Sequence, residues 1–224
     1  MAKAAALPLA RLLQLASPAL PVGAYSYSQG LESAVEAGVV HDRASAQQWI
    51  NDVAALSLAR WELPLLAKLI AAWQGGPDAA MINARFLASR ESAELRAETV
   101  QMGYSLARLA AQLEIPRHEE LEAIEEPVFP TAFAFFVAAW KLPVREALSA
   151  YLWSWMENAV MAAVKCVPLG QTDAQRALLD LGDHIDTLVT EALDLDEDAM
   201  APSLPRMALL SARHETQYSR LFRS

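Results

Sequence analysis

A chain of 224 residues, 54% of them hydrophobic, is long enough to bury one substantial core and short enough for a single domain to account for it. Its formal net charge of −9 excludes the basic footprint by which proteins neutralise nucleic-acid phosphates or anionic membrane surfaces. A lone cysteine, Cys166, excludes an intramolecular disulfide framework and a Cys-based zinc site, which leaves a protein partner in a reducing, cytoplasmic setting as the expectation.

Eight glycines interrupt a chain rich in Ala and Leu, and no segment alternates with period two between turn residues. The expected fold is therefore all-α, a single-domain helical bundle over residues 1–224, with residues 1–20 an N-terminal arm and residues 213–224 a tail. The arm imitates a short signal peptide, but Pro8, Arg11 and Gln14 break its apolar run and Ser17-Pro18 is a poor cleavage context, so it reads as mature sequence.

Residues 21–30 place two glycines, Gly23 and Gly30, ahead of a helix and invite a phosphate-loop reading. That reading fails because Leu31 and Glu32 stand where the Walker pattern needs Lys and Ser/Thr. The residues support instead a turn at Pro21-Val22-Gly23 and a capping box, Ser26 as cap answered by Gln29, opening a helix over 26–36. Tyr25 and Tyr27 on that entry suit an interaction surface, since Tyr combines contact area with a polar tip.

Further helices are predicted over 43–59, 61–73 and 79–89, with Gly75-Gly76-Pro77 as a connection. Residues 91–113 carry Leu95, Met102, Leu106, Leu109 and Leu113 on one face, with Glu94, Arg96 and Glu98 assigned to the other. Residues 114–130, acidic and holding Pro116, Pro127 and Pro130, are expected to be the most mobile loop. The apolar run 132–140 is far shorter than the roughly 20 residues that span a bilayer.

The segment 144–167 is apolar almost all round, including Tyr151, Trp153, Trp155 and Met156, which predicts burial in the core or at a subunit contact. After Pro168 and Gly170, a capping box of Thr172 and Gln175 predicts a helix with Leu178, Leu181, Ile185, Leu188 and Ala192 on one stripe. Asp194, Asp196 and Asp198 match the opening of a calcium loop, but Ala199 and Pro205 occupy its glycine and closing-glutamate positions, so a solvated connection is expected.

Chemistry is poorly represented. His41, His118, His184 and His214 are scattered, with no partner at a recognised metal spacing, and no nucleophile elbow exists. Cys166 beside Lys165 reads as a small buried thiol. The chain end interleaves Tyr218, Leu221 and Phe222 with Arg213, Arg220 and Arg223, residue types enriched in binding hot spots, and either docks a partner or folds back on its own chain.

These blocks resemble the urease accessory protein UreF family. The resemblance rests on the run Leu-Leu-Gln-Leu-Ala-Ser-Pro-Ala-Leu-Pro-Val-Gly-Ala-Tyr-Ser-Tyr-Ser-Gln-Gly-Leu-Glu that opens residues 12–36, on residues 90–103, on 157–171 with Lys165, Pro168 and Gly170, and on 213–224. It implies an all-α homodimer without cofactor or catalysis of its own. Such a nickel-insertion co-chaperone bridges the scaffold subunit UreD (also called UreH) and the GTPase UreG, and supports GTP-dependent nickel delivery into apo-urease. It further implies scaffold docking through Tyr218, Arg220, Leu221 and Phe222, GTPase contact through Gly23, Tyr25, Ser26 and Lys165, and a dimer interface at Trp153. Ser33 departs from the family in standing where a larger, often aromatic residue is expected, and residues 111–131 match no family pattern. The rival reading is a helical enzyme or small-ligand binder using helix 144–167 as a pocket wall.

Overall fold

The computed structural model of the chain describes residues 3–202 and 204–223. Its elements are α1 (Lys3–Leu15), a 3-10 turn (Ala24–Ser26), α2 (Leu31–Glu36), α3 (Arg43–Val53), a π-helical segment (Ala54–Glu62), α4 (Leu63–Trp73), α5 (Ala79–Ala88) and α6 (Ala93–Gln112). There follow α7 (His118–Glu122), α8 (Phe129–Ala139), α9 (Val144–Cys166), α10 (Gln171–Gly182), α11 (Ile185–Asp194), a 3-10 turn (Glu197–Ala199) and α12 (Pro205–His214). No strand occurs among the described residues, and no helix there is long and apolar enough to cross a membrane. The first two residues of the expected arm and the last residue of the tail lie outside the described residues.

Two helices organise the bundle. Helix α8 buries Ala132, Phe133, Ala134, Phe135, Phe136 and Val137, every face of it, and is packed mainly between α4 and α6. A helix with no polar stripe has no solvent side, so the other helices must surround it. Helix α9 is the long strut and packs against α1, α2, α3, α4, α10 and α11. Its Tyr151 ring meets Phe129 and Phe133 at 5.5 and 5.0 Å between centroids, which ties the strut to α8.

Residues 43–73 form one continuous rod rather than the two helices predicted from the pattern. The junction is wide: the Leu63 amide donates to Leu58 five residues back, and Pro64 follows immediately. Pro64 has no amide to offer the carbonyl of Arg60, and the widened turn accommodates its ring without breaking the rod.

Other boundaries differ from expectation for local reasons. Ser26 does not cap a helix; it ends the 3-10 turn, and the helix begins at Leu31 behind Gly30, whose φ of +80° is the left-handed conformation glycine tolerates. A Cβ at Gly30 would also lie 3.4 Å from the Ser211 amide nitrogen of α12. Thr172 lies inside α10, which begins at Gln171 behind Gly170, an N-cap without a side-chain bond. The capping box that does form is Asp42 with Ser45, where the Ser45 amide donates to the Asp42 carboxylate at 2.8 Å. The predicted stripe of residues 178–192 is divided between α10 and α11, yet Leu178, Leu181, Leu188 and Ala192 are buried as expected.

Residues 114–130 are not an open loop. They contain α7, they bury Ile115, Leu121 and Val128, and Asn83 clamps them by donating to the Glu126 carbonyl at 2.9 Å and accepting from the Val128 amide at 2.9 Å. This strand of chain crosses α6 so closely that a Cβ at Gly103 would fall 1.8 Å from the Pro127 carbonyl oxygen. Glu98, assigned to the solvent face of α6, is buried, and Leu113, assigned to the core face, is exposed. Glu98 is covered because the chain end and the 21–30 loop are laid over a second side of α6, and Leu113 falls past the last turn of the helix as its C-cap.

The Gly103 crossing yields a stability prediction. Gly103→Ala removes the helix-weakening glycine, which by propensity alone is stabilising by about 1 kcal/mol. The backbone oxygen of Pro127 has no room to yield, so the expected net effect is destabilisation of roughly 1–3 kcal/mol or more, read as a lower urea midpoint.

Candidate docking surface

Helix α2 turns its Leu31, Glu32, Ser33 and Ala34 inward, under α12. A buried carboxylate needs several donors, because water no longer supplies them. Glu32 finds them in the chain end: the Leu221 amide donates to one carboxylate oxygen at 2.7 Å, and the Phe222 amide to the other at 3.0 Å. His214, with no exposed side-chain surface, stands between two carboxylates, its Nε2 3.2 Å from Glu32 and its Nδ1 2.7 Å from Glu94. Glu94 in turn accepts from Arg220 Nη1 at 2.8 Å.

Further bonds hold the same segment. The Arg223 amide donates to the Ser26 carbonyl at 2.8 Å, Glu215 accepts from the Ala93 amide at 2.8 Å, and the Ser92 and Ser211 hydroxyls meet at 2.7 Å. Ser33, the small residue where a large one was expected, donates its hydroxyl to Gln217 at 3.1 Å, so its size leaves room for the tail. Phe222 closes a satellite core made of Leu31, Ala34, Val40, Ala46, Ala162, Ala163, Val167 and Leu210. Lys165 Nζ lies 5.1 Å from the centre of the Phe222 ring.

The tail therefore folds back on its own chain, and this sorts the four residues expected to touch a scaffold partner. Phe222 is 6% exposed and is engaged internally, and Arg220 is paired with Glu94. Tyr218 is fully exposed and Leu221 is 70% exposed. The backbone is pinned while these two apolar side chains face solvent.

Of Gly23, Tyr25, Ser26 and Lys165, Ser26 and Lys165 touch the tail, and Gly23 and Tyr25 belong to the same loop as Ser26. Gly23 is exposed with φ +80°, Tyr25 and Ser26 are half-buried, and the Ser26–Arg223 and Lys165–Phe222 contacts join loop and tail into one surface. The loop is stapled to α9: Trp155 Nε1 donates to Gln29 at 2.6 Å, Gln29 donates to Glu98 at 2.6 Å, and Asn158 donates to the Tyr27 carbonyl at 3.4 Å. Gln29, expected as half of a capping box, is instead the centre of this bridge. Burial, with the nearby Glu157 charge, pushes the Tyr25 phenol up, and burial pushes the Glu157 carboxyl up. Trp153 is half-buried beside Gly182 of α10 and lies twelve residues from Lys165, roughly 18 Å along the axis.

Burial also pushes the Cys166 thiol up to about 11, with Glu32 adding to the shift and Lys165 opposing it. The shift keeps Cys166 mostly in its thiol form near neutral pH, where it is a poor nucleophile. Among the described residues no group of three or more His, Cys, Asp and Glu is disposed to hold a metal ion. Glu32, Glu94 and His214 are engaged with one another and with the tail. No spacing rule links Glu32 to His214, which are 182 positions apart, and only a fold could reveal them.

A family model described as UreF matches residues 40–182. The chain is 59% identical to the urease accessory protein UreF of Azoarcus sp. (strain BH72), an alignment covering 97% of this chain and 96% of that relative. It is 52% identical to the protein of the same name from Dechloromonas aromatica (strain RCB), over 97% and 98% respectively.

Two outcomes check this geometry. Glu32→Gln should weaken the tail by about 3 kcal/mol through loss of a buried charged acceptor, read as faster hydrogen exchange at Leu221 and Phe222 with the α4 and α8 amides still protected. Iodoacetamide should label Cys166 at pH 8 about 100-fold more slowly than an unstructured cysteine, the rate climbing with pH as the thiolate forms toward pH 11; labelling at the free-cysteine rate would contradict the burial.

Proposed function

The chain belongs to the UreF family of urease accessory proteins, and on that premise we propose that it is a non-catalytic, cytoplasmic docking protein of urease maturation. It bridges the scaffold subunit UreD/UreH and the GTPase UreG, acts as a homodimer in that complex, and supports GTP-dependent nickel delivery into apo-urease. The observation that carries this reading is the pinned chain end that leaves Tyr218 and Leu221 outside. Large apolar side chains on a fixed backbone are what a partner needs in order to bind without a large ordering cost.

In this reading Tyr218 and Leu221 contact the scaffold subunit directly, and Arg220 and Phe222 hold the tail in place for them. Gly23, Tyr25, Ser26 and Lys165 form the adjoining GTPase contact, and Trp153, remote from both, contributes to the dimer. A regulator of this kind needs no catalytic group. It selects one conformation of the GTPase by binding it more tightly, and Lys165 serves as a positioning cation rather than a finger into the phosphate. A helical enzyme or small-ligand binder is the second reading, favoured by one observation: α9 contributes Tyr151, Ser154, Trp155, Glu157 and Asn158 to the wall of a pocket.

The test is co-purification with the scaffold subunit and the GTPase. A chain ending at Ser211 should lose the scaffold subunit. The doubly substituted Tyr218→Ala, Leu221→Ala chain, which leaves the Glu32 contacts in place, should weaken it at least 10-fold with an unchanged unfolding midpoint. Retention of the complex by both would sink the assignment of the tail. Saturable turnover by the chain without partners would favour the second reading.

A further inference from the structure

A partly enclosed pocket of about 80 Å³ opens between the 21–30 loop, α6 and α9. Its walls are apolar, with Leu20, Val22, Phe86, Met102 and Phe129 among them, but its polar lining is unbalanced. Glu62, Glu98 and Glu157 face it against the single cation Arg90.

Two of those carboxylates are already engaged. Glu62 accepts from the Tyr151 hydroxyl and lies 3.6 Å from Arg90 Nη1, and Glu98 accepts from Gln29. Glu157 makes no hydrogen bond or ion pair among the described residues, and it is partly withdrawn from water, which pushes its carboxyl up. A half-buried carboxylate without a counter-ion inside an apolar cup is a place where an incoming cation gains more than it does on an open surface.

We propose that this pocket is the socket for an arginine side chain presented by a protein partner, with the guanidinium meeting Glu157 and the aliphatic stem lying along the apolar wall. Arginine fits better than lysine because guanidinium is the more weakly hydrated cation, pairs with carboxylate through a planar fork, and is favoured beside aromatic groups such as Tyr25, Phe129 and Trp155. A protein fits better than a free small cation because Tyr25 and Gln29 both line the pocket and both belong to the loop assigned above to the GTPase. The inference rests on that assignment. Filling the socket would also fix the loop from beneath, since Gln29 joins it to both Trp155 and Glu98.

The first arm of the test uses the intact chain alone, titrated with N-acetyl-arginine methylamide and with its lysine and glutamate counterparts, and followed by NMR at the Trp155 indole. Saturable binding of the arginine analogue, weaker binding of the lysine analogue, none of the glutamate analogue, and loss of binding in Glu157→Gln support the socket. Absence of saturation by the arginine analogue overturns it, as does equal binding of all three.

The second arm measures affinity for the GTPase. Glu157→Gln, of the same shape as the native side chain, should weaken it about 10-fold, while Glu146→Gln on an exposed turn of the same helix should not. Wild-type affinity in Glu157→Gln despite a positive first arm would mean that the pocket takes a free cation and no partner side chain, overturning the proposal. If the wild-type chain binds no GTPase, the broader docking assignment fails and the partner proposal falls with it; the first arm still decides whether the pocket holds a guanidinium.

Discussion

The Glu32 carboxylate is the point on which the chain end depends. One short helix contributes a single acid whose two oxygens take the amides of Leu221 and Phe222 and the ring nitrogen of His214. None of those donors could be buried alone without an unsatisfied polar group, and neither could the carboxylate. Together they are mutually satisfied, and Arg220 completes the arrangement from the outside through Glu94. Such a network contributes less to net stability than its number of bonds suggests, because each charge was well solvated before folding. What it contributes is register: in the placement the structure adopts, the amides of Leu221 and Phe222, His214 and Arg220 are all satisfied at once.

That placement explains the division of the apolar core. The main cluster surrounds α8 and runs along most of α9, while a smaller cluster is built at the far end of α9 from Ala162, Ala163 and Val167 and is closed by Phe222. The main core draws its side chains from helices throughout the bundle and includes no residue of the tail. The satellite core does include one, the aromatic residue from the chain end that supplies its lid. Loosening of the tail would therefore open the docking surface while leaving the bundle folded, a local rather than global event.

How much of this was legible beforehand follows from which interactions are local. The all-helical class, the buried strut at α9 and the stripe across α10 and α11 were readable because apolar periodicity is a property of a few consecutive turns. The helix starts at Ser26 and Thr172 were misplaced because a Ser or Thr three residues ahead of Gln is a permissive pattern. Glycines at 30 and 170 set the actual entries. The rod over 43–73 was divided at residue 60, with Pro64 inside the second predicted helix, because the π-helical segment that joins the two parts has no sequence signature. Residues 114–130 looked mobile from their prolines and charge, but Asn83 and the notch at Gly103 hold them from other helices. The tail was the most undecided element: its composition fitted both a partner and its own chain, and the structure has it folded on its own chain through Phe222 with Tyr218 turned to solvent.

A tail that is already ordered changes the energetics of docking. Fixing the backbone of one residue costs roughly 1–2 kcal/mol, so a disordered tail of six or seven residues would consume most of the gain from burying two apolar side chains. Here that cost is met within the fold by Glu32, His214 and Phe222, and the exposed Tyr218 and Leu221 are offered from a fixed backbone. The same preorganisation ties the tail to the 21–30 loop, since the Arg223 amide is bonded to Ser26 and the Lys165 cation lies against Phe222. Because tail and loop are bonded to each other, a partner bound at the tail as proposed would restrain the loop without any catalytic group between them.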